Sequence, residues 1–173
     1  MSRSRGPSGG AASGKSGQKL PYGHLTGAAE NAVEARLKGD STALTRFVMT
    51  LQNKRIPLRS LTLGRDGEGL RVTLLLEGEE DNARRYTTLL SGLEDVRQIE
   101  ATKNTIQVAL VKLSGEEDWR GSAQACGVQA HESEDTVVAS GEPEAVEEWI
   151  AGLDCVEEAI RLGPAARPGN GGD

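Results

Sequence analysis

The sequence predicts an α+β protein made of two tandem strand-helix-strand-strand-helix-strand units, each an antiparallel sheet with its helices on one face. Three observations point there. The stretch "SLTLGRDGEGLRVTLLLEG", residues 60–78, is two apolar runs joined by a Gly-rich turn, the pattern of a hairpin. Two later stretches, "EGEEDNARRYTTLLSGLEDV" and "SGEPEAVEEWIAGLDCV", repeat one another: a strand end with Gly-Glu, a helix, Gly-Leu, an acid and a Val. Their helix faces also match. Tyr86, Leu89, Leu90 and Leu93 fall at i, i+3, i+4 and i+7, and Val146, Trp149, Ile150 and Leu153 do the same at an offset of 60. That spacing puts four apolar side chains on one helical stripe. The chain carries a duplication.

The elements follow in order. "NAVEARL" alternates as a strand, with Val33, Ala35 and Leu37 on one face and Glu34 and Arg36 on the other. "TALTRFVMTLQNKR" sets Leu44, Phe47, Val48 and Leu51 on a helical stripe. The hairpin runs over about 58–65 and 70–77 through "DGEG", with Val72, Leu74 and Leu76 opposed to Arg71 and Thr73. The repeated helix and a strand near 96–101 close the first unit, which spans 29–102. The second unit, 103–164, opens with "IQVALVKL" and a short helix around 116–125, whose stripe of Trp119, Ala123 and Cys126 is thin. Strands at 127–132 and 136–140, the repeated helix at 143–153 and "VEEAIRL" complete it. Residues 1–28 and 165–173 are rich in Gly, Ser and Pro and poor in large apolar residues, and are expected to be disordered tails.

A unit of this order folds as two right-handed split crossovers into a four-stranded antiparallel sheet. Both helices lie on one face and the other face is expected to be open. The strand at 58–65 becomes an edge carrying Leu61 and Leu63, with only Arg59 and Arg65 as guards. An exposed apolar edge pairs with something. Arg59, Ser60, Leu61, Thr62 and Leu63 are therefore a candidate interface, for the second unit or for the same strand of another copy, in a dimer.

Composition excludes several functions. A net charge of -6 argues against nucleic acid or an anionic membrane as the main partner. The first 19 residues, with Arg3, Arg5, Lys15 and Lys19 and no acid, are read as a basic tail rather than an organelle transit peptide. No run approaches the roughly 18 apolar residues of a membrane span, so a soluble, cytoplasmic protein is expected. Cys126 and Cys155 lack CxxC spacing, and His24 and His131 are isolated. Metal sites need clustered ligands, and no metal is expected.

Candidate chemistry is thin. "GRDGEG" joins two antiparallel strands, whereas phosphate cradles lead into a helix N-terminus. The acid runs sit at helix ends and loops, where the macrodipole or solvent accounts for them. His131, Glu132 and Ser133 are neighbours along a strand and point to alternate faces. RNA-binding sheets of this topology stack bases on strand aromatics, and "NAVEARL" and "LRVTLLLEG" have none. The metal-carrying version needs cysteines in its first loop, "KGDST", which has none. One local site has physics behind it. "KGDSTALTRF" runs a loop into a helix that Asp40 or Ser41 caps, and its N–H groups attract a small anion such as an amino-acid carboxylate.

These residues resemble a known family, the small, regulatory subunit of acetolactate synthase (acetohydroxyacid synthase), whose first half is an ACT domain. "ALTRFVMTLQNKRIPLRSLTLGRD" is similar to the family's helix with L-x-R followed by its S-L-T-x-G strand, at Leu44, Arg46, Ser60, Leu61, Thr62 and Gly64. "LRVTLLLEG" resembles the S-R-x-T-I-V-V strand at Arg71 and Thr73. "VEEAIRLGPAA" resembles the closing I-x-E-I-A-R-T-G at Glu158, Ala159, Arg161 and Gly163. The resemblance implies tandem ferredoxin-like units and a non-catalytic subunit. Its partner would be a large catalytic subunit in branched-chain amino-acid biosynthesis. Thiamine diphosphate, magnesium and FAD would belong to that partner, and this chain would hold no cofactor.

The resemblance also implies a branched-chain amino-acid effector at Gly39, Asp40, Ser41, Thr42, Ala43 and Leu44. Here the family's N-x-x-G is altered, with Gly39 in place of Asn and Thr42 in place of Gly. The runner-up function is a stand-alone tandem ACT protein without a synthase partner. A small enzyme using His131 is a third.

Overall fold

The computed structural model describes residues 31–67, 69–78, 80–115 and 118–168. The tail expected at 1–28 lies outside these residues. The first unit contains β1 (Ala32–Leu37), α1 (Ser41–Asn53), β2 (Leu58–Asp66), β3 (Gly69–Leu76), α2 (Glu80–Ser91) and β4 (Val96–Ala101). The second contains β5 (Thr105–Leu113), α3 (Trp119–Ala125), β6 (Gln129–Ser133), β7 (Thr136–Gly141), α4 (Pro143–Ala151) and β8 (Val156–Ala166). The sheets run β2-β3-β1-β4 and β6-β7-β5-β8, and every pairing is antiparallel. These are two ferredoxin-like units in tandem, as the duplication predicted.

In the first unit Val33, Ala35 and Leu37 of β1 meet Leu74, Val72 and Leu70 of β3 in register, all buried against the helices. Phe47 and Leu51 of α1 and Ala83 and Leu90 of α2 close this core. The α1 stripe is rotated slightly from the expected one. Ala43, Phe47 and Leu51 are buried, while Val48 is 41% exposed at the rim. Short Ala43 lets α1 lie close to the sheet, and the stripe turns toward it.

The second core gathers Ala109 and Val111, Val137 and Ala139, and the full α4 stripe of Val146, Trp149, Ile150 and Leu153. Trp149 is 1% exposed, and its indole N–H donates to Trp119 O at 3.3 Å and Ser122 Oγ at 3.1 Å. A buried Trp needs such a partner. The short α3 supplies it. Asp118 starts that helix by accepting from Gly121 N at 3.0 Å, so its first turn is capped despite its seven residues. Pro143 opens α4, where a missing N–H costs nothing.

Two expectations are corrected. β8 does not stop at Leu162; it continues to Ala166, so the C-terminal tail cannot begin at Gly163 or 165. The strand pairs on past Gly163, whose φ of 126° suits glycine, at a register shift opposite Ile106 and Val108. A Cβ there would meet Ile106 O and Ala165 N at 3.2 Å. The second correction concerns the open face. The helix-free face of the first sheet is partly roofed by the end of β8, and Ala32, Glu34, Thr73 and Leu75 on it are 1–7% exposed.

Candidate functional site

Three features of the first unit are candidates for function, and each grows from the local fold. The first is the start of α1. Asp40 takes an extended backbone (φ -106°, ψ 157°) and its carboxylate accepts from Ala43 N at 2.5 Å. That is an N-cap, satisfying one of the free donors of the first turn. The loop residues Gly39, Asp40, Ser41 and Thr42 are exposed, Leu44 is half-buried, and the Ala43 side chain is fully buried in the core. The chain's own carboxylate thus sits where an incoming one would bind, and its charge opposes a second anion.

The second feature is the β2 edge. β2 pairs with β3, and among the described residues its other side has no strand. Leu61 and Leu63 point to the helix side, opposite Leu74 and Val72. Leu61 packs against the core, so of the two only Leu63, 46% exposed, is an apolar edge residue. A register shift at Leu58/Ser60 leaves exposed Arg59 as a bulge, the usual way an edge is blunted. Ser60 and Thr62 point to the other face.

That other face forms the third feature, a seam between the two units that the sequence reading did not find. Thr62 and Thr73 are opposite one another on β2 and β3. The Thr62 hydroxyl donates to Pro164 O at 2.9 Å, and Ala166 N donates to Thr73 Oγ1 at 2.8 Å. Arg167 extends the contact around β5, its backbone N–H donating to Asn104 O and its guanidinium to Thr105 O and Glu142. Beside the threonines, on the same sheet face, lies a group of four charges. Glu34, 7% exposed, is 3.0 Å from Arg71 Nε and 3.5 Å from Arg36 Nε, and both arginines reach Asp66. The Arg71–Glu34 approach is an ion contact without hydrogen-bond alignment. Within this group two acids offset two bases.

A groove of about 310 Å³ lies between α1 and the turn after α2, lined by Arg46, Phe47, Met49, Thr50, Leu93, Glu94 and Asp95. Its polar element is a fork. Arg46 Nε and Nη2 donate to the two oxygens of Asp95 at 2.6 and 2.9 Å. These bonds hold the Asp95 carboxyl below the usual carboxylate range and push Arg46 up. Asp95 O also accepts from Lys38 N, so the pair ties α1, the β4 turn and β1 together. The fork satisfies both partners, which gives it a structural role and leaves no charge free for chemistry.

The remaining sequence candidates do not converge. His131 is exposed on β6, while Glu132 faces away and pairs with Arg120 at 2.7 Å. Cys126 and Cys155 are half-buried thiols. Among the described residues no cluster of His, Cys, Asp or Glu has metal-binding proximity, and no helix is long and apolar enough to cross a membrane. Arg161, within the closing stretch that carried the family resemblance, donates to Glu147 of α4 at 2.7 and 2.9 Å, and Gln107 donates to the same carboxylate. Its visible work is to hold α4 on the second sheet.

Fold and site thus define a protein of two tandem ferredoxin-like units. Among solved structures it is similar to the acetolactate synthase small subunit from Thermotoga maritima, with a TM-score of 0.62 and 17% identity over 76% of this chain and 92% of that one. Protein BT0572 from Bacteroides thetaiotaomicron (TM-score 0.40, 14% identity, 69% and 83% covered) and the aspartokinase alpha and beta subunits (0.38, 9%, 70% and 94%) also match more loosely. No family model matches the sequence, and no curated protein does.

Proposed function

We propose that this chain is a regulatory subunit of acetolactate synthase. It binds and activates a thiamine-diphosphate-dependent catalytic subunit that makes acetolactate from pyruvate for valine, leucine and isoleucine. The observation that carries this reading is the likeness of fold to the Thermotoga maritima small subunit, with a TM-score of 0.62 over 76% of this chain and 92% of that one. The motif-like residues support it further, because Thr62 and Thr73 meet at one seam. The chain itself contributes no catalytic group. Thiamine diphosphate, magnesium and FAD belong to the partner, and the pair works in the cytoplasm.

Mechanistically, the β2 edges of two copies join side by side around Leu63, with Arg59 flanking. The α1 loop leaves β1 beside the β4 turn, where Lys38 N donates to Asp95 O. A ligand would bias the packing of the copies from that loop only where Asp40 no longer opposes it, and the catalytic subunit would then respond as a population shift. Co-purification tests the reading: tagged chain is expected to enrich a thiamine-diphosphate enzyme from its own cells. Failure to enrich any such enzyme, with no effect on acetolactate production, would favour the stand-alone tandem protein instead.

A further inference from the structure

We propose that the groove between α1 and the turn after α2 receives a segment of this chain's own N-terminal stretch, "KLPYGHL", residues 19–25. The groove measures about 310 Å³. Of its apolar lining, Phe47 is buried in the core, Leu93 is half-buried and Met49 is 53% exposed. Its two fork residues, Arg46 and Asp95, already satisfy one another. The groove therefore suits an apolar side chain that covers Met49 and Leu93. A methionine thioether packs favourably against an aromatic ring, and the segment brings Tyr22.

Size, reach and charge select this occupant. A volume at the small end for a ligand site holds one or two large side chains rather than the face of a domain. Residues 1–30 have Met1, Leu20, Tyr22 and Leu25 as their large apolar groups, and three of them fall between 20 and 25. The reach is sufficient. Asn31 O accepts from Leu76 N, and Leu76 stands opposite Leu58, where the chain re-enters the sheet after α1. The N-terminal stretch thus joins the fold at the end where α1 finishes, and Thr50 of the groove lies in the last turn of that helix. Tyr22 precedes Asn31 by nine residues, about 30 Å of extended chain. The whole of α1 is only about 20 Å long.

Charge agrees. Arg3, Arg5, Lys15 and Lys19 against Glu30 give residues 1–30 a charge of +3, which leaves -9 on the rest of a chain of net -6. At the groove, the Glu94 side chain is 92% exposed and sits 3.7 Å from Lys38. Lys19 arrives beside Leu20 to join that pair. Opposite charge steers the segment in, and apolar burial holds it. A second copy would bring the same acidic surface and is repelled. Because the segment is tethered, its effective concentration is of order mM, so a contact with a Kd of about 1 mM is half filled. Docking requires no synthase partner.

NMR of the full chain labelled with methyl-13C methionine tests the contact. The two methionines give one signal from Met1 and one from Met49. Leu20→Ser with Tyr22→Ser should move the Met49 signal, and neither residue belongs to a core cluster, so the fold is retained. Glu94→Lys should lower the docked population about two- to fivefold, read as a partial move toward the double variant's position. A synthetic peptide of residues 17–28, added to the double variant at about 5 mM, should bring the signal back, and the same peptide with Tyr22→Ser should not. An identical Met49 signal in wild type and double variant overturns the proposal. So does failure of the peptide to restore the signal. A wild-type Met49 signal that shifts with protein concentration also overturns it, by making a second copy the occupant.

Discussion

Thr62 and Thr73 stand opposite one another across β2 and β3, and together they hold the outer edge of β8, one donating to Pro164 O and the other accepting from Ala166 N. An edge strand presents unpaired backbone groups. Here two hydroxyls of the neighbouring sheet satisfy them, and the two units become one body.

Replacing Thr73 by Val keeps the shape and removes the acceptor, leaving Ala166 N–H buried without a partner. The expected loss is about 1–3 kcal/mol. Thr62→Val strands only a carbonyl and should cost less, about 0.5–1.5 kcal/mol. Urea unfolding measures both. Amide exchange at Ala166 should accelerate in Thr73→Val and change little in Thr62→Val.

The Arg46–Asp95 fork predicts an acid response. Hydrogen bonds from Arg46 depress the Asp95 pKa in the folded state, with the ion-pair attraction adding to them and burial opposing. A group with a depressed folded pKa contributes stability above its unfolded value, near 3.9, and loses it as pH falls through the lower folded value. Asp95→Asn should therefore lower stability at neutral pH and flatten its fall below about pH 4. Unfolding midpoints across that range read the difference.

Self-capping by Asp40 predicts weak effector binding. Calorimetry with valine, isoleucine and leucine should show no heat for the native chain. Gly39→Asn with Thr42→Gly opens the loop, and adding Asp40→Ser removes the opposing charge while keeping a cap. Heat with the triple variant and none with the parent would place the obstruction at this helix start.

Trp149 anchors the second core by packing and by its indole N–H. Trp149→Ala should cost about 3–5 kcal/mol. Trp149→Phe keeps most of the packing and removes only the indole donor, while Ser122 Oγ still donates to Trp119 O, and should cost less. Thermal melts rank the two.

Much of this was legible in the residues. Apolar alternation in "NAVEARL" and the matched stripes at Tyr86–Leu93 and Val146–Leu153 produced both sheets and the duplication, because those patterns record which face is buried. The end of β8 was not legible. "GPAARPGNGG" reads as a tail by composition, and what orders its start is pairing with β5 together with a pair of hydroxyls about a hundred residues from Pro164 and Ala166. Glu34 and Arg71 misled in the same way, since alternation marks them as solvent-facing and the β8 roof buries Glu34. Leu61 looked like an exposed edge residue, and the fold shows it half-buried against the first core.

The most direct test of the central claim is the rate at which a thiamine-diphosphate-dependent acetolactate synthase catalytic subunit from the same cells converts pyruvate, measured with and without this chain. The account predicts a saturable rise in acetolactate production as the chain is added, and none from the chain alone. An unchanged rate at saturating concentration, or turnover by the isolated chain, would contradict it.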